Sequence, residues 1–381
     1  MERRTFIKNV TTGTLGVAGI GALGLPETAK AIPSSPNQAN KKVKMYVGCQ
    51  SHGSSEDAMA FLARCGVYNY DPGMPKTIEG KGWDLDDSKA IVERAAKYGI
   101  TINAYHLPLS SAGIDRVSVP NIMLGKSPER DREIEQIQQM IRVSGESGVK
   151  LLLYNTTILP VVRTGRTVDP KRGFMEYSTF NLEEARSRGL DQQMTKAGLT
   201  DVDTIFERIT YLLDRLLPVA EEFGVRLGNH IADPPLPVGY QGITRWNSPD
   251  VFAGIKRFAE LYDSPSHGFN FCIGSTAEGL KDPNTEIIPI IEYIGSRKQI
   301  FNIHYRNIKG GWGNFQEVMP DNGDMNFVKV MRALRDVEFD GMVMPDHVPY
   351  HPDPDNKRQA YAFCYGYIKA LLQMLEMEAT S

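Results

Sequence analysis

The chain has 381 residues, 41% of them hydrophobic, and its 43 basic and 46 acidic side chains leave a formal charge of −3. That balance, with no cluster of Lys and Arg to neutralise phosphates, argues against a nucleic-acid partner. Four cysteines, Cys49, Cys65, Cys272 and Cys364, lack the close spacing of a disulfide framework, and Cys49, Cys65 and Cys364 read as packing residues.

In chain order, residues 1–31 come first and read as an export signal. Arg3-Arg4 followed by Thr5, Phe6, Ile7 and Lys8 resembles the twin-arginine consensus. Val10 to Leu25 is a weakly apolar stretch diluted by five glycines, and Ala29-Lys30-Ala31 is an A-x-A cleavage signal. The apolar run is shorter than the ~20 residues a membrane span needs, so a removed signal is expected rather than an anchor. The expectation is a mature chain from about Ile32, a Pro/Ser/Asn/Lys-rich leader over 32–43 and one catalytic domain over 44–381. The twin-arginine (Tat) export machinery would be a partner and the periplasm the destination. A passenger that crosses folded can carry a metal loaded where a thiolate ligand is kept reduced.

Eight apolar runs then alternate with helix-length segments: KMYVGC (44–49), GVYNY (66–70), ITINAYH (100–106), KLLLYN (150–155), VRLGNH (225–230), GFNFC (268–272), IFNIH (300–304) and GMVMPD (341–346). This pattern predicts an α/β fold, a single (β/α)8 TIM barrel, a type that commonly runs to ~250 residues or more with insertions. The clearest helix lies over 201–224, where Ile205, Ile209, Leu212, Leu213, Leu216 and Ala220 recur at helical spacing, Gly224 marks the stop and Pro218 predicts a kink. Another opens at Pro128 after Ser127. Residues 160–202 are polar and without clean periodicity. They predict an insertion after the fourth strand, serving as a lid over the mouth or as a contact through which a homo-oligomer forms.

The last four runs end in His230, Cys272, His304 and Asp346. Imidazole, thiolate, imidazole and carboxylate at four successive strand ends predict a divalent-metal site at the barrel mouth. Asp346 is followed directly by His347, which would project beside a metal-bound substrate as acid or base, or would orient a ligand from behind. Asn155, Arg166, Asp233, Arg306 and Glu317 are candidate substrate-binding groups, and arginine in such a set suits a carboxylate. Arg166 as a surface charge and Tyr361 as a packing residue of an aromatic-rich helix are the plainer readings of those two.

The stretches LLPVAEEFGVRLGNHIADPPLP (216–237), GFNFCIGS (268–275), IFNIHYRNI (300–308), FQEVMPDNGDMNFVKVMRAL (315–334) and MPDH (344–347), with YNTTILPVVRTGRT (154–167), resemble the mannonate dehydratase family. The resemblance implies one Mn²⁺, or another divalent first-row ion, on His230, Cys272, His304 and Asp346. It also implies His347 and a following tyrosine, Tyr361 or Tyr350, as proton carriers. The reaction implied is loss of water from an aldonic acid to give a 2-keto-3-deoxy acid, as D-mannonate gives 2-keto-3-deoxy-D-gluconate. Departures fall on the substrate side: the family's HPDDPP reads HIADPP here, its F-H-E reads Phe315-Gln316-Glu317, and an aspartate is replaced by Arg163. Two other functions use the same features: a sugar isomerase, epimerase or lyase of the xylose-isomerase-like kind, and a sugar-binding protein without catalysis.

Replacing Arg3-Arg4 by Lys-Lys should hold the precursor in the cytoplasm, because the export receptor reads the arginine pair and not charge alone. Cell fractionation checks this, and normal export of the double-lysine form points to another route.

Overall fold

Residues that alternate inward and outward along short strands can line a closed ring and pack against helices outside it. The computed structural model describes residues 41–380 apart from Asn356, and the predicted export signal and residues 32–40 of the leader lie outside the described residues. All eight apolar runs form strands. Tyr46–Val47 pairs in parallel with Met342–Pro345, and the ladder continues through Ile300–Tyr305, His267–Cys272, Arg226–His230, Leu151–Asn155 and Tyr105–His106. The third run is split. Thr101–Ile102 pairs with Asn69–Tyr70, and Tyr70 bridges in parallel to Cys49, just past the first strand. The ring is thereby closed in the order of the sequence.

Inside the ring, alternation stacks side chains in layers. Ala104, Leu151, Leu153, Phe301, Met342 and Met344 form a small buried cluster of their own, separate from the large core between strands and helices. Continuing the same faces upward from Ala104, Leu153 and Met344 brings His106, Asn155 and Asp346 to the mouth. Strand seven needs a correction to reach it. Phe269 pairs with Ile300 but Asn270 pairs with Asn302, so the seventh strand carries one extra residue against the sixth. This bulge turns Asn302 and His304 to the face that holds Asn270 and Cys272, and Cys272 then lies opposite His304.

The insertion after strand four is more ordered than its polar sequence suggests. Gly165–Asp169 and Met175–Asn181 form an antiparallel pair, and Met175–Asn181 joins Asn314–Val318, which pairs back to Asn307–Gly311. The result is a four-stranded sheet built half from the insertion and half from the hairpin after strand seven. Phe180 and Phe315 pack across it, with ring centroids 5.7 Å apart. The Gly165–Asp169 and Met175–Asn181 hairpin is local, but no periodicity within 160–202 could announce its pairing with Asn314–Val318, far along the chain.

The helix predicted over 201–224 is observed as Val202–Glu222, capped by the Asp201 carboxylate on the Thr204 amide and running unbroken through Pro218. The helix that follows Pro128 runs over Glu129–Glu146. Among the described residues no helix is long and apolar enough to cross a membrane.

Leu153 lies in the inner layer directly beneath the mouth, fully buried. Leu153→Ala should destabilise the fold by about 2–5 kcal/mol, since neighbouring strands cannot collapse into the space. Urea unfolding with an unchanged m-value is the measurement.

Candidate functional site

Donor atoms of His230, Cys272, His304 and Asp346 all lie within 4.8 Å of one another at the mouth. His230 Nε2 is 3.1 Å from His304 Nδ1, His304 Nδ1 is 3.7 Å from Asp346 Oδ1, and Cys272 Sγ is 3.6 Å from Asp346 Oδ2. Each donor is held from behind. His230 Nδ1 donates to the carbonyl of Ile231 at 2.6 Å, which leaves its Nε2 lone pair free for the cluster. Asn270 contacts His304 Nε2 at 3.1 Å and is itself bonded to Asn302. Gln50 donates to Asp346 Oδ1 at 2.9 Å, while the amide and hydroxyl of Ser275 reach Cys272 Sγ.

The electrostatics suit a cation. Burial lowers the tendency of both His230 and His304 to protonate, so both rings are neutral and can offer lone pairs. Burial works to raise the Asp346 carboxyl, but the neighbouring His347 and the Arg306 guanidinium outweigh it and keep it ionised. Burial pushes the Cys272 thiol well above the ordinary range, with Arg306 opposing. A divalent ion among these donors is the charge that would turn the thiol into a thiolate. Facing lone pairs, a carboxylate and a buried thiol fit a first-row divalent ion.

A second cluster adjoins the first. Donor atoms of Asp233, Glu317 and His347 also lie within 4.8 Å of one another, but guanidinium groups already fill their midst. Arg306 reaches Asp233 at 2.8 Å, Glu278 at 2.9 Å, Glu317 at 2.9 Å and Asp346 at 3.2 Å. Arg163 reaches Asp233 at 2.7 Å and Glu278 at 3.2 Å, and also contacts Glu317. Burial raises the Glu278 carboxyl well above its usual range, partly opposed by Arg163. Glu317, despite burial, is brought down to about 2 by His347, Arg163 and Arg306. His347 Nδ1 lies 2.6 Å from Glu317 Oε1 and also contacts Arg306. Its backbone φ of 43° is unusual for a side-chain-bearing residue, a local strain of the kind that gathers at functional sites.

The other predicted residues separate. Asn155 and Asp233 line the cavity reached by His230, His304 and Asp346; Arg166, Glu317 and Tyr350 line a neighbouring one, and His347 lines both. Arg166 is exposed and paired with Glu176 at 3.0 Å. Arg306, expected to bind substrate, is 2% exposed and surrounded by carboxyl groups from four loops, which it holds together. Tyr361 is buried, with its hydroxyl 2.7 Å from Ser51 Oγ and its ring against His52. Sequence reasoning missed His106, Asp71, Glu278 and Gln50. His106 ends the third strand run and was open to the same strand-end reading as the four donors, whereas nothing in STAEG marks Glu278 as buried.

The family model of D-mannonate dehydratase (UxuA) matches residues 179–380, a range that holds all four donors and His347. The chain belongs to the D-mannonate dehydratase family. It is 26% identical over 302 residues to the mannonate dehydratase of Enterococcus faecalis, covering 71% of this chain and 79% of that protein. Against the mannonate dehydratase of Thermotoga petrophila it is 28% identical over 304 residues, covering 70% and 78%. The crystal structure of mannonate dehydratase from Streptococcus suis serotype 2 superposes with a TM-score of 0.69 at 23% identity, covering 88% of this chain and 96% of that one, which shows a shared fold. Within the D-mannonate dehydratase family the barrel mouth described above is the candidate active site.

Proposed function

We propose that this chain is a metal-dependent sugar-acid dehydratase, removing water from an aldonate such as D-mannonate to give a 2-keto-3-deoxy acid. The observation that carries the reading is the juxtaposition of a four-donor cluster with His347, an imidazole backed by Glu317 at 2.6 Å. His230, Cys272, His304 and Asp346 would hold the ion, and Mn²⁺ is the proposed identity. When bound, a divalent ion supplies Lewis-acid stabilisation of negative charge developing on the substrate carboxylate and its neighbouring hydroxyl.

The remaining chemistry belongs to the chain. Glu317 accepts from His347 Nδ1–H, which leaves Nε2 as the basic nitrogen for the proton at C2. Arg306 holds Glu317 and Asp346 in one frame and so fixes His347 relative to the donors. Asn155 and Asp233, in the wall of the donor cavity, are placed to meet substrate hydroxyls, and Arg166 is placed to meet an anionic group from the neighbouring cavity. The sheet shared by the insertion and the hairpin after strand seven carries both Arg166 and Glu317, which supports a covering role over the mouth. Export to the periplasm and self-association are proposed with the same reading. The deciding experiment is a screen of aldonates and keto-sugars with Mn²⁺, following 2-keto-3-deoxy acid. An isomerised or epimerised sugar in its place supports the alternative chemistry.

Two substitutions separate the metal from the proton. Cys272→Ser should lose most bound metal while the fold persists, and metal analysis of the purified protein checks it; undiminished metal content removes Cys272 from the ligand set. His347→Asn should keep its metal yet lower turnover by roughly 10² or more, the usual scale for a lost acid–base group. Wild-type turnover by that variant places the base elsewhere.

A further inference from the structure

His106 has no part in the chemistry so far, yet it stands in the wall of the cavity lined by His230, His304, Asp346 and His347. Its Nδ1 lies 2.8 Å from Oδ2 of Asp71, a carboxylate with no exposed surface whose Oδ1 accepts from the amide of Gly73 at 2.9 Å. With Nδ1 held there and the side chain 31% exposed, Nε2 is the nitrogen left for the cavity. A carboxylate behind one imidazole nitrogen fixes the ring's orientation and stabilises its protonated form. Burial opposes the charged ring, but the Asp71 carboxylate, with a smaller contribution from Asp346, outweighs it and raises His106 from its ordinary value.

Elimination of water needs a base for the C2 proton and an acid for the departing C3 hydroxyl. His347 and His106 reach the mouth from separated points of the rim, one after strand eight and the other at the end of strand three. The tyrosines are placed less well for the second task. The Tyr361 hydroxyl is engaged by Ser51, and Tyr350 lines the neighbouring cavity.

We propose that His106, oriented by Asp71, is the acid that protonates the departing C3 hydroxyl. The inference rests on the dehydratase reading above. As His347 takes the C2 proton, the electron pair of the C2–H bond becomes the C2=C3 double bond. The C3–O bond breaks with its electron pair on oxygen, and the proton from His106 Nε2 completes a water molecule. The enol left behind loses its O2 proton and gains one at C3 from solvent, giving the 2-keto-3-deoxy acid. Solvent returns the proton to His106 and accepts the one on His347.

The test compares two leaving groups, because fluoride departs without a proton donor. His106→Asn and wild type are measured for metal content, for keto acid from the best aldonate, and for fluoride from the 3-deoxy-3-fluoro analogue of that acid. The variant should keep its metal, lose hydroxyl elimination by roughly 10² or more, and release fluoride within about threefold of wild type. Equal loss on both substrates overturns the inference, since a ring that only positions the substrate serves both alike. Wild-type hydroxyl elimination by the variant overturns it as well. If His106→Asn fails to fold or to hold metal, Asp71→Asn must show the same split between substrates, and its absence overturns the inference. A wild-type enzyme that converts no aldonate sinks the dehydratase reading itself, and this inference with it.

Discussion

A guanidinium with 2% exposure needs acidic partners around it, and Arg306 touches four carboxyl groups. Those groups come from different places around the ring. Asp233 follows strand five, Glu278 follows strand six, Glu317 lies in the hairpin after strand seven, and Asp346 ends strand eight. One side chain thus ties four adjacent loops together, and the distances among them become properties of Arg306 rather than of each loop. Gly274 makes room for it, since a Cβ at that position would overlap the Arg306 side chain. Because Asp346 belongs both to this network and to the donor cluster, the four donors and His347 share one frame.

The two clusters balance their charge differently. In the inner network, Arg163 and Arg306 face Asp233, Glu278, Glu317 and Asp346, and Glu278 is the carboxyl that burial pushes toward its neutral form. No further cation is called for there. The donor cluster has the opposite deficit. Two neutral imidazoles in contact and a buried thiol that donates to a carboxylate crowd their ligand atoms together, and the structure's own positive charge nearby is already committed. The pair of clusters therefore sorts itself into one place for a metal and one place that orders His347.

The barrel and its four mouth donors were legible because both follow from period-two alternation and strand-end position, patterns carried by contiguous residues. The bulge in strand seven was not, because it is defined only against strand six, and a single extra residue leaves IFNIH looking like any other run. The same limit hid the sheet that joins the insertion to the hairpin after strand seven, whose pairing spans residues far apart in the chain. Arg306 was noticed, but its burial among carboxyl groups was not. Arginine is expected at surfaces, and only the convergence of four carboxylates from four loops makes its burial stable. His106 was passed over because attention stayed on the C-terminal half, where the family resemblance is carried.

Arg163 shows how the departures from the family pattern hang together. It stands where the family has an aspartate, and it contacts Asp233, Glu278 and Glu317. An aspartate at that position in this structure would add a carboxylate to a buried group that already holds three, with Arg306 as the remaining guanidinium among them. Ala232, in place of the family's acidic residue, lies directly before Asp233, the carboxylate that Arg163 holds at 2.7 Å. Charge at both positions has moved the same way, and the Coulomb cost of buried like charges makes the two changes dependent. The four donors stand apart from this exchange, since none of them is among the carboxyl groups that Arg163 contacts.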